Sequence, residues 1–87
     1  MLSKDFIKSL TTQPGIYQML NADDHVIYVG KARNLKQRVK SYFQKSMPQK
    51  AHEMMSHVVN IEVIVTHSEN EALILESEFI KKLKPKY

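Results

Sequence analysis

The strongest constraint on the fold is a β-hairpin that the sequence predicts from Gly15 onward. Residues 16–20 and 26–29 are rich in β-branched and aromatic side chains, and the intervening NADDH carries turn-forming Asn and Asp residues. The two glycines of the chain, Gly15 and Gly30, stand at the ends of this hairpin. Residues 26–29 are apolar on both faces, which is typical of a central strand. Residues 26–29 are therefore expected to form a central strand of a sheet.

Helix and strand signals alternate along the rest of the chain. Asn34 and the Ser68-x-x-Glu71 capping box predict two helix starts, and Pro85 predicts the end of the last helix. The pattern predicts an α+β fold with a small three-stranded sheet among helices. The further predicted elements are a short helix with Phe6, Ile7 and Leu10, a helix from Asn34 to about Phe43, a helix opening at Pro48, a strand over 60–67 and a helix from Ser68 to Pro85.

Length and composition limit the class of protein. A chain of 87 residues with 43% hydrophobic and 25% charged residues has the composition of one small globular domain. It contains no cysteine, so a disulfide framework or thiolate zinc site is excluded and a reducing cytoplasm is favoured. Neither an export signal nor an apolar run long enough to span a membrane is found, and we expect no membrane association.

Positive charge is concentrated in two segments of the chain. Net charge is +4 with a pI near 9.4, and no acidic residue interrupts the stretch from Lys31 to Lys50. Such a surface suits a polyanion such as nucleic acid, although a solvated basic face explains the charge equally well. The basic residues are Lys31, Arg33, Lys36, Arg38, Lys40, Lys45 and Lys50, followed by Lys81, Lys82, Lys84 and Lys86 near the end.

Glu76 is a charged residue on the predicted apolar face of the last helix. At about 100° per residue it falls near the centre of the predicted apolar face. An unpaired buried charge costs several kcal/mol, so Glu76 should pair with a cation, hold a metal or lie at the mouth of a cleft. A buried ion pair with lysine or arginine is the structural alternative. The predicted apolar face consists of Ala72, Leu73, Leu75, Phe79, Ile80 and Leu83.

Arg38 and two tyrosines are candidates for a neighbouring site. Arg38 projects to the edge of the apolar helix face beside Tyr42, where its planar guanidinium could hold a phosphate or its stem could cover the core. An even-numbered turn would pair Tyr17 with Tyr28 and direct both phenols to one face. The glycines would then leave backbone bare for a ligand, whereas good strand formers and strand-ending glycines are the ordinary explanation.

The segments GIY, YVGKARNLKQRVKSYF and THSENEALILESEFIKKLKPKY, in this order, resemble the GIY-YIG nuclease family and most closely its UvrC branch. The resemblance covers nearly the whole chain. It implies a small antiparallel three-stranded sheet and hydrolysis of DNA phosphodiesters with a single divalent ion, Mg²⁺ or Mn²⁺. It also implies the 3' incision of nucleotide excision repair, within the SOS response.

The resemblance implies roles for the residues that match its motifs. Glu76 matches the metal-binding glutamate and Arg38 the catalytic arginine, while Lys31 and Tyr42 match further active-site positions. We favour Tyr28 as the base, with Lys31 lowering its pKa. Tyr17 and Tyr28 match the motif tyrosines, Gly15 and Gly30 the motif glycines with close packing, and Arg33, Lys36, Lys40 and Lys45 are the expected DNA contacts.

The family pattern continues past its final Pro-x-Tyr with an asparagine, whereas this chain stops at Tyr87. Residues 1–87 are thus expected to be one domain excised from a longer protein, monomeric, weakly active alone and loaded by a UvrB-like partner. The alternative function is a noncatalytic nucleic-acid-binding module on the same scaffold. A metal site on His52 and His57 is disfavoured because i, i+5 spacing separates their helix faces.

Overall fold

A computed structural model describes residues 2–87 of the chain. They form an α+β fold in which an antiparallel sheet of order β2-β1-β3 is flanked by four helices, as predicted. None of these helices has the length and apolar content needed to traverse a bilayer. The elements are α1 (Lys4–Ser9), β1 (Gly15–Leu20), β2 (Val26–Ala32), α2 (Leu35–Ser41), α3 (Gln49–Met55), β3 (Asn60–Val65) and α4 (Glu69–Leu83).

The helix and turn signals of the sequence act as local chemistry predicts. The side chains of Asn34 and Ser68 each accept a backbone N–H three residues on, which starts α2 and α4. Lys84 adopts a left-handed conformation that ends α4 directly before Pro85. In the hairpin turn, the Asn21 side chain accepts hydrogen bonds from the N–H groups of Asp23 and His25.

The central strand is β1, so the prediction that residues 26–29 form the central strand is wrong. Both β2 and β3 pair with β1, and β2 is an edge strand. Ile27 and Val29 are nevertheless buried and Val26 and Tyr28 half-buried, because helices pack on both faces of the sheet. In addition, the backbone N–H of Tyr87 donates to the carbonyl of Ile27, which covers part of the outer edge of β2. A strand at the edge of the sheet can therefore carry apolar residues on both faces when helices pack on each side of it.

The sheet separates two layers of packing. Tyr17 and Met19 on one face of β1 belong to a core with Leu35 and Val39 of α2 and Met54 of α3. The alternate residues of β1 and β2, which include Ile16, Leu20 and Val29, are also buried and lie on the opposite face, where α4 packs. The helix α4 thus packs on the face of the sheet opposite to Tyr17.

Two predictions about buried apolar residues are wrong. On α4 only Ala72 is buried, whereas Leu73, Ile80 and Leu83 are between 40% and 49% exposed. The helix packs mainly against β2 and β1, so its contact face is narrower than its apolar face. Phe43 is also exposed, because α2 ends at Ser41 and Phe43 no longer follows the helical spacing.

Candidate active site

Three tyrosines meet on the face of the sheet that α2 covers. Tyr17 and Tyr28 project from the hairpin and Tyr42 from the C-cap of α2, and the three ring centroids lie 5.8–6.4 Å apart. The pairing of Tyr17 with Tyr28 is wrong: Tyr17 lies opposite Gly30 and Tyr28 opposite Met19. The two phenols still share a face because they are diagonal neighbours across the strand pair.

The glycines make room for protein atoms rather than for a ligand, so the prediction that they leave backbone bare for a ligand is wrong. A Cβ on Gly30 would overlap the ring and hydroxyl of Tyr17, which lie across the glycine. A Cβ on Gly15 would overlap the backbone carbonyl oxygen of Ile64 and press on Leu35. Gly30 therefore sets the position of the Tyr17 ring, and Gly15 sets the approach of β3 to β1.

A hydrogen-bond network ties the tyrosines to Arg38. The hydroxyls of Tyr17 and Tyr42 lie 2.7 Å apart, and Arg38 donates to both, from Nε to Tyr17 and from Nη2 to Tyr42, each at 3.2 Å. The guanidinium carbon also lies 5.0 Å from the centre of the Tyr42 ring. A guanidinium has five N–H donors, so three remain for a ligand such as phosphate. Arg38 is thus held in place by the protein and still able to bind an anion.

Burial sets the protonation of two of the phenols. Burial raises the pKa of Tyr17 well above its usual range, and its hydrogen bond to Tyr42 adds to the effect. Burial also raises the pKa of Tyr42. Both phenols therefore stay neutral at physiological pH and serve as hydrogen-bonding groups. Tyr28 is the most accessible of the three, since Tyr17 and Tyr42 are buried and Tyr28 is half-buried.

A cleft of about 540 Å³ opens beside this cluster. It is lined by Tyr28, Arg38 and Tyr42, by the loop before α3 and α3 itself, and by Tyr87. Lys50 and Tyr87 were not singled out as site residues from the sequence, and only the terminal Pro-x-Tyr motif pointed toward Tyr87. The remaining lining residues are Met47, Pro48, Ala51 and Met54.

Glu76 meets Lys31 on the opposite face of the sheet. A carboxylate oxygen of Glu76 lies 3.9 Å from Nζ of Lys31, and the two side chains are 19% and 49% exposed. The distance is too long for a direct hydrogen bond, and the exposure shows that the pair is not a buried ion pair. Lys31 and Tyr28 alternate in β2 and point to opposite faces, so the cation that we expected beside Tyr28 contacts Glu76 instead.

The Arg38–tyrosine cluster and the Lys31–Glu76 pair can both be reached past the outer edge of the sheet, because β2 is an edge strand. A groove of about 410 Å³ is lined by both Lys31 and Arg38, together with Asn34 and Gln37 of the α2 start. Arg38 also lines the tyrosine cleft. The structure thus places a fixed guanidinium, a half-buried phenol and an accessible carboxylate around one stretch of β2.

The donor set near Glu76 fits a hydrated divalent cation. Among residues 2–87 no group of three or more His, Asp or Glu residues could hold a metal ion. A cation at Glu76 would therefore have one protein carboxylate and keep most of its waters, as Mg²⁺ does at many sites. All four histidines are exposed.

The expected DNA contacts lie on two different surfaces. Arg33 forms an ion pair with Glu69 and lines a cavity with Lys31, close to the Glu76 side of the site. Lys36 and Lys40 instead line a groove between α1 and α2, together with Lys4 and Lys8. Lys45 is exposed in the loop after α2. Of these four residues, Arg33 is the one that shares a cavity wall with Lys31.

Comparison with known proteins gives a consistent result for nearly the whole chain. A model of the UvrC-like GIY-YIG domain matches residues 13–87. The UvrABC system protein C of Aliivibrio fischeri is 55% identical over 98% of the chain, and that of Shewanella pealeana is 51% identical over the same share. The chain spans 14% of the length of each of these two curated relatives.

Solved structures match the fold closely. The N-terminal GIY-YIG endonuclease domain of UvrC from Thermotoga maritima, bound to magnesium as its catalytic divalent cation, superposes with a TM-score of 0.86 at 34% identity. That match covers 99% of this chain and 98% of the solved one. A tyrosine point mutant of the same domain, also bound to its catalytic cation, matches with a TM-score of 0.88 at 35% identity over 100% of this chain and 97% of the mutant chain.

Proposed function

The chain belongs to the UvrC-like GIY-YIG domain family, and from this premise we propose that it is a divalent-metal-dependent endonuclease domain that hydrolyses a DNA phosphodiester. Within a full-length UvrC-like protein, it would make the 3' incision of nucleotide excision repair. The observation that carries the proposal is Glu76: a partly exposed carboxylate, without a close hydrogen-bonded cation, that lies beside Lys31 of the strand that also carries Tyr28.

Glu76 would hold the metal through one carboxylate. Such an ion, when bound, supplies positive charge that stabilises the charge developing on the phosphate and on the leaving oxygen. Without the ion, the carboxylate would repel DNA, which explains why a binding module would have no use for it. Lys31, within 4 Å of Glu76, adds a second positive group for the phosphate backbone.

Arg38 would bind a non-bridging oxygen of the scissile phosphate. Its free donors are the two N–H groups of Nη1 and the second N–H of Nη2. Because the two phenols fix the orientation of the guanidinium before substrate arrives, little reorganisation is needed as charge develops on the phosphate. Tyr17 and Tyr42 therefore act as positioning residues for Arg38.

Tyr28 would orient the attacking water and accept its proton. It lines the cleft beside Arg38, whereas burial disfavours ionisation of the other two phenols. Proton transfer by a positioned side chain typically contributes about 10²- to 10⁴-fold to a rate. Tyr28 is consequently the base that the arrangement favours.

The wider assignments follow from the family. The substrate would be double-stranded DNA, delivered by a UvrB-like loading partner, and the protein would be a monomer in the cytoplasm. The surplus of lysine and arginine residues supports a polyanionic substrate, and binding should weaken as salt concentration rises. Arg33 would contact the backbone near the cut, and Lys36, Lys40 and Lys45 would contact more distant phosphates.

The test is nicking of supercoiled plasmid with Mg²⁺ or Mn²⁺ by the chain and by Glu76→Gln. Glu78→Gln is the matched control, because it removes the same charge from an exposed position of the same helix. We expect nicking that depends on the metal, is abolished by Glu76→Gln and is retained by Glu78→Gln. Each form should be assayed alone and within a full-length UvrC-like chain. Salt-sensitive DNA binding without nicking in either setting would favour the binding-module alternative.

A further inference from the structure

We propose that the cleft between the tyrosine cluster and α3 is a subsite for a nucleotide base, namely the base attached to the phosphate that Arg38 holds. The proposal rests on the proposed function and extends it. It gives a role to the part of the lining that lies outside the residues matched to the family motifs, namely Met47, Lys50, Ala51 and Met54.

The cleft adjoins the phosphate-binding groups. Arg38, Tyr28 and Tyr42 line it, so a phosphate on the free donors of Arg38 would border it. The rest of the lining comes from α3, the loop before it and Tyr87. Its volume of about 540 Å³ lies within the range of about 300–1,000 Å³ that is typical of sites for small organic ligands.

The chemistry of the walls suits a planar aromatic group with a negative charge nearby. Met47, Ala51 and Met54 supply apolar and polarizable surface, and the tyrosine rings supply aromatic surface. Lys50 contributes the second cation of the lining, while none of the lining residues is acidic. A purely apolar ligand would desolvate Arg38 and Lys50 without neutralising them, whereas a nucleotide would satisfy both parts of the cleft.

Tyr87 is fixed in a way that supports this use. Its backbone N–H donates to the carbonyl of Ile27, and the ammonium of Lys86 lies 5.5 Å from the centre of its ring. The side chain is half-buried and still lines the cleft. A base stacked there would therefore meet a ring that is already held by the protein.

The experiment compares two probes that share a backbone. A trithymidylate with a 5' phosphate and the same trinucleotide with abasic units are titrated into the ¹⁵N-labelled chain carrying Glu76→Gln, with amide shifts as the readout. Base stacking on aromatic surfaces is a known contributor to affinity for single strands, so removing the bases should weaken binding roughly tenfold. The amide signals of Lys50 and Ala51 should move with the base-bearing probe only.

A pair of substitutions on α3 locates the effect. Ala51→Trp fills the cleft and should reduce binding of trithymidylate to that of the abasic probe. His52→Trp adds the same side chain at the neighbouring exposed position, which does not line the cleft, and should leave the tenfold difference intact. The comparison of the two probes on the chain without α3 substitutions needs no cleft variant, so it remains decisive if Ala51→Trp fails to fold.

The outcomes separate this inference from the proposed function. Equal affinity for the two probes, with shifts at residues around Arg38, would overturn the base subsite and leave the phosphate site standing. Absence of shifts around Arg38 with either probe would overturn both the subsite and the phosphate contact on which the proposed mechanism depends.

Discussion

The two halves of the site are built in opposite ways. Arg38, Tyr17 and Tyr42 form a hydrogen-bonded cluster in which both tyrosines are part of the hydrophobic core. Lys31 and Glu76 lie on the other face of β2, at 3.9 Å and partly exposed to solvent. The first half has a geometry set by packing, whereas the second has a geometry that a bound cation can still adjust.

This difference between the two halves indicates which substitutions should change activity without changing the stability of the fold. A substitution at Tyr17 or Tyr42 changes the core and the site at once, because the same atoms serve both. A substitution at Glu76 or Lys31 removes a charge from a partly exposed pair whose atoms are too far apart for a hydrogen bond, and such a pair contributes little to stability. We therefore expect activity and the free energy of unfolding to change together in the first half and independently in the second.

Among the substitutions that keep the Glu76 carboxylate, the largest effect on nicking should come from Tyr28→Phe. This substitution removes the proposed base and should lower the single-turnover nicking rate about 10²- to 10⁴-fold. Tyr28 is half-buried and lines the open cleft, so the free energy of unfolding should change little. Urea denaturation beside the nicking assay checks both expectations. Nearly full single-turnover activity would rule out Tyr28 as the base.

Arg38→Lys should cause the next largest loss of nicking activity. Lysine keeps the charge but cannot bridge two phenols and a phosphate with one planar group, so nicking should fall about 10²- to 10³-fold. The phenols would also lose their shared donor, and the chain should unfold at lower urea concentration. Lys31→Gln provides the contrast, since it should affect nicking with an unchanged urea midpoint. An unchanged midpoint for Arg38→Lys would erase the distinction between the halves.

Gly30→Ala should lower the free energy of unfolding by about 1–3 kcal/mol, because the new methyl group forces the Tyr17 ring to move. Part of this loss should disappear in a Tyr17→Leu background, where the clashing ring atoms are absent. Gly15→Ala should not be rescued in that background, because its neighbour is the backbone oxygen of Ile64. A double-mutant cycle in urea measures the coupling. Equal coupling at both glycines would contradict this assignment.

Tyr17→Phe should have the smallest effect, about 1 kcal/mol at pH 7, since it leaves Tyr42 and Arg38 each without one partner. The raised pKa of Tyr17 means that the folded chain keeps this proton at a pH where the unfolded chain releases it. Its contribution is thus fully present below about pH 10 and lost as pH rises above that value. The stability difference between the two forms should therefore narrow above pH 10, which urea midpoints at pH 7, 9 and 10.5 can show.

Local chemistry made much of the fold predictable. Caps at Asn34 and Ser68 act within one helical turn, and helical spacing alone placed Arg38 beside Tyr42 and Glu76 toward the sheet. Long-range features were not predictable in this way. Strand order depends on where β3 pairs, and the register of Tyr17 depends on an irregularity at Met19 and Leu20.

The cleft illustrates the same limit. Lys50 and Tyr87 are distant in the sequence from each other and from Tyr28, and neither falls on a periodic pattern that marks a site. They come together because α3 packs into the tyrosine core and the tail after α4 returns to β2. Sequence spacing describes single elements well, but it carries little information about which elements meet.

The two pairings of β1 close loops of very different length: a short turn joins β1 to β2, whereas α2 and α3 lie between β2 and β3. The hairpin of β1 and β2 is local, and it already brings Tyr17 onto Gly30 and next to Tyr28. By contrast, Gly15 of β1 meets Val65 of β3 only after α2 and α3 have been gathered into the loop between them. Loop-closure entropy grows with the length of the closed segment, so the hairpin should form early in folding and β3 should dock late. The polypeptide would then acquire the strand pair of its active site before it acquires the sheet.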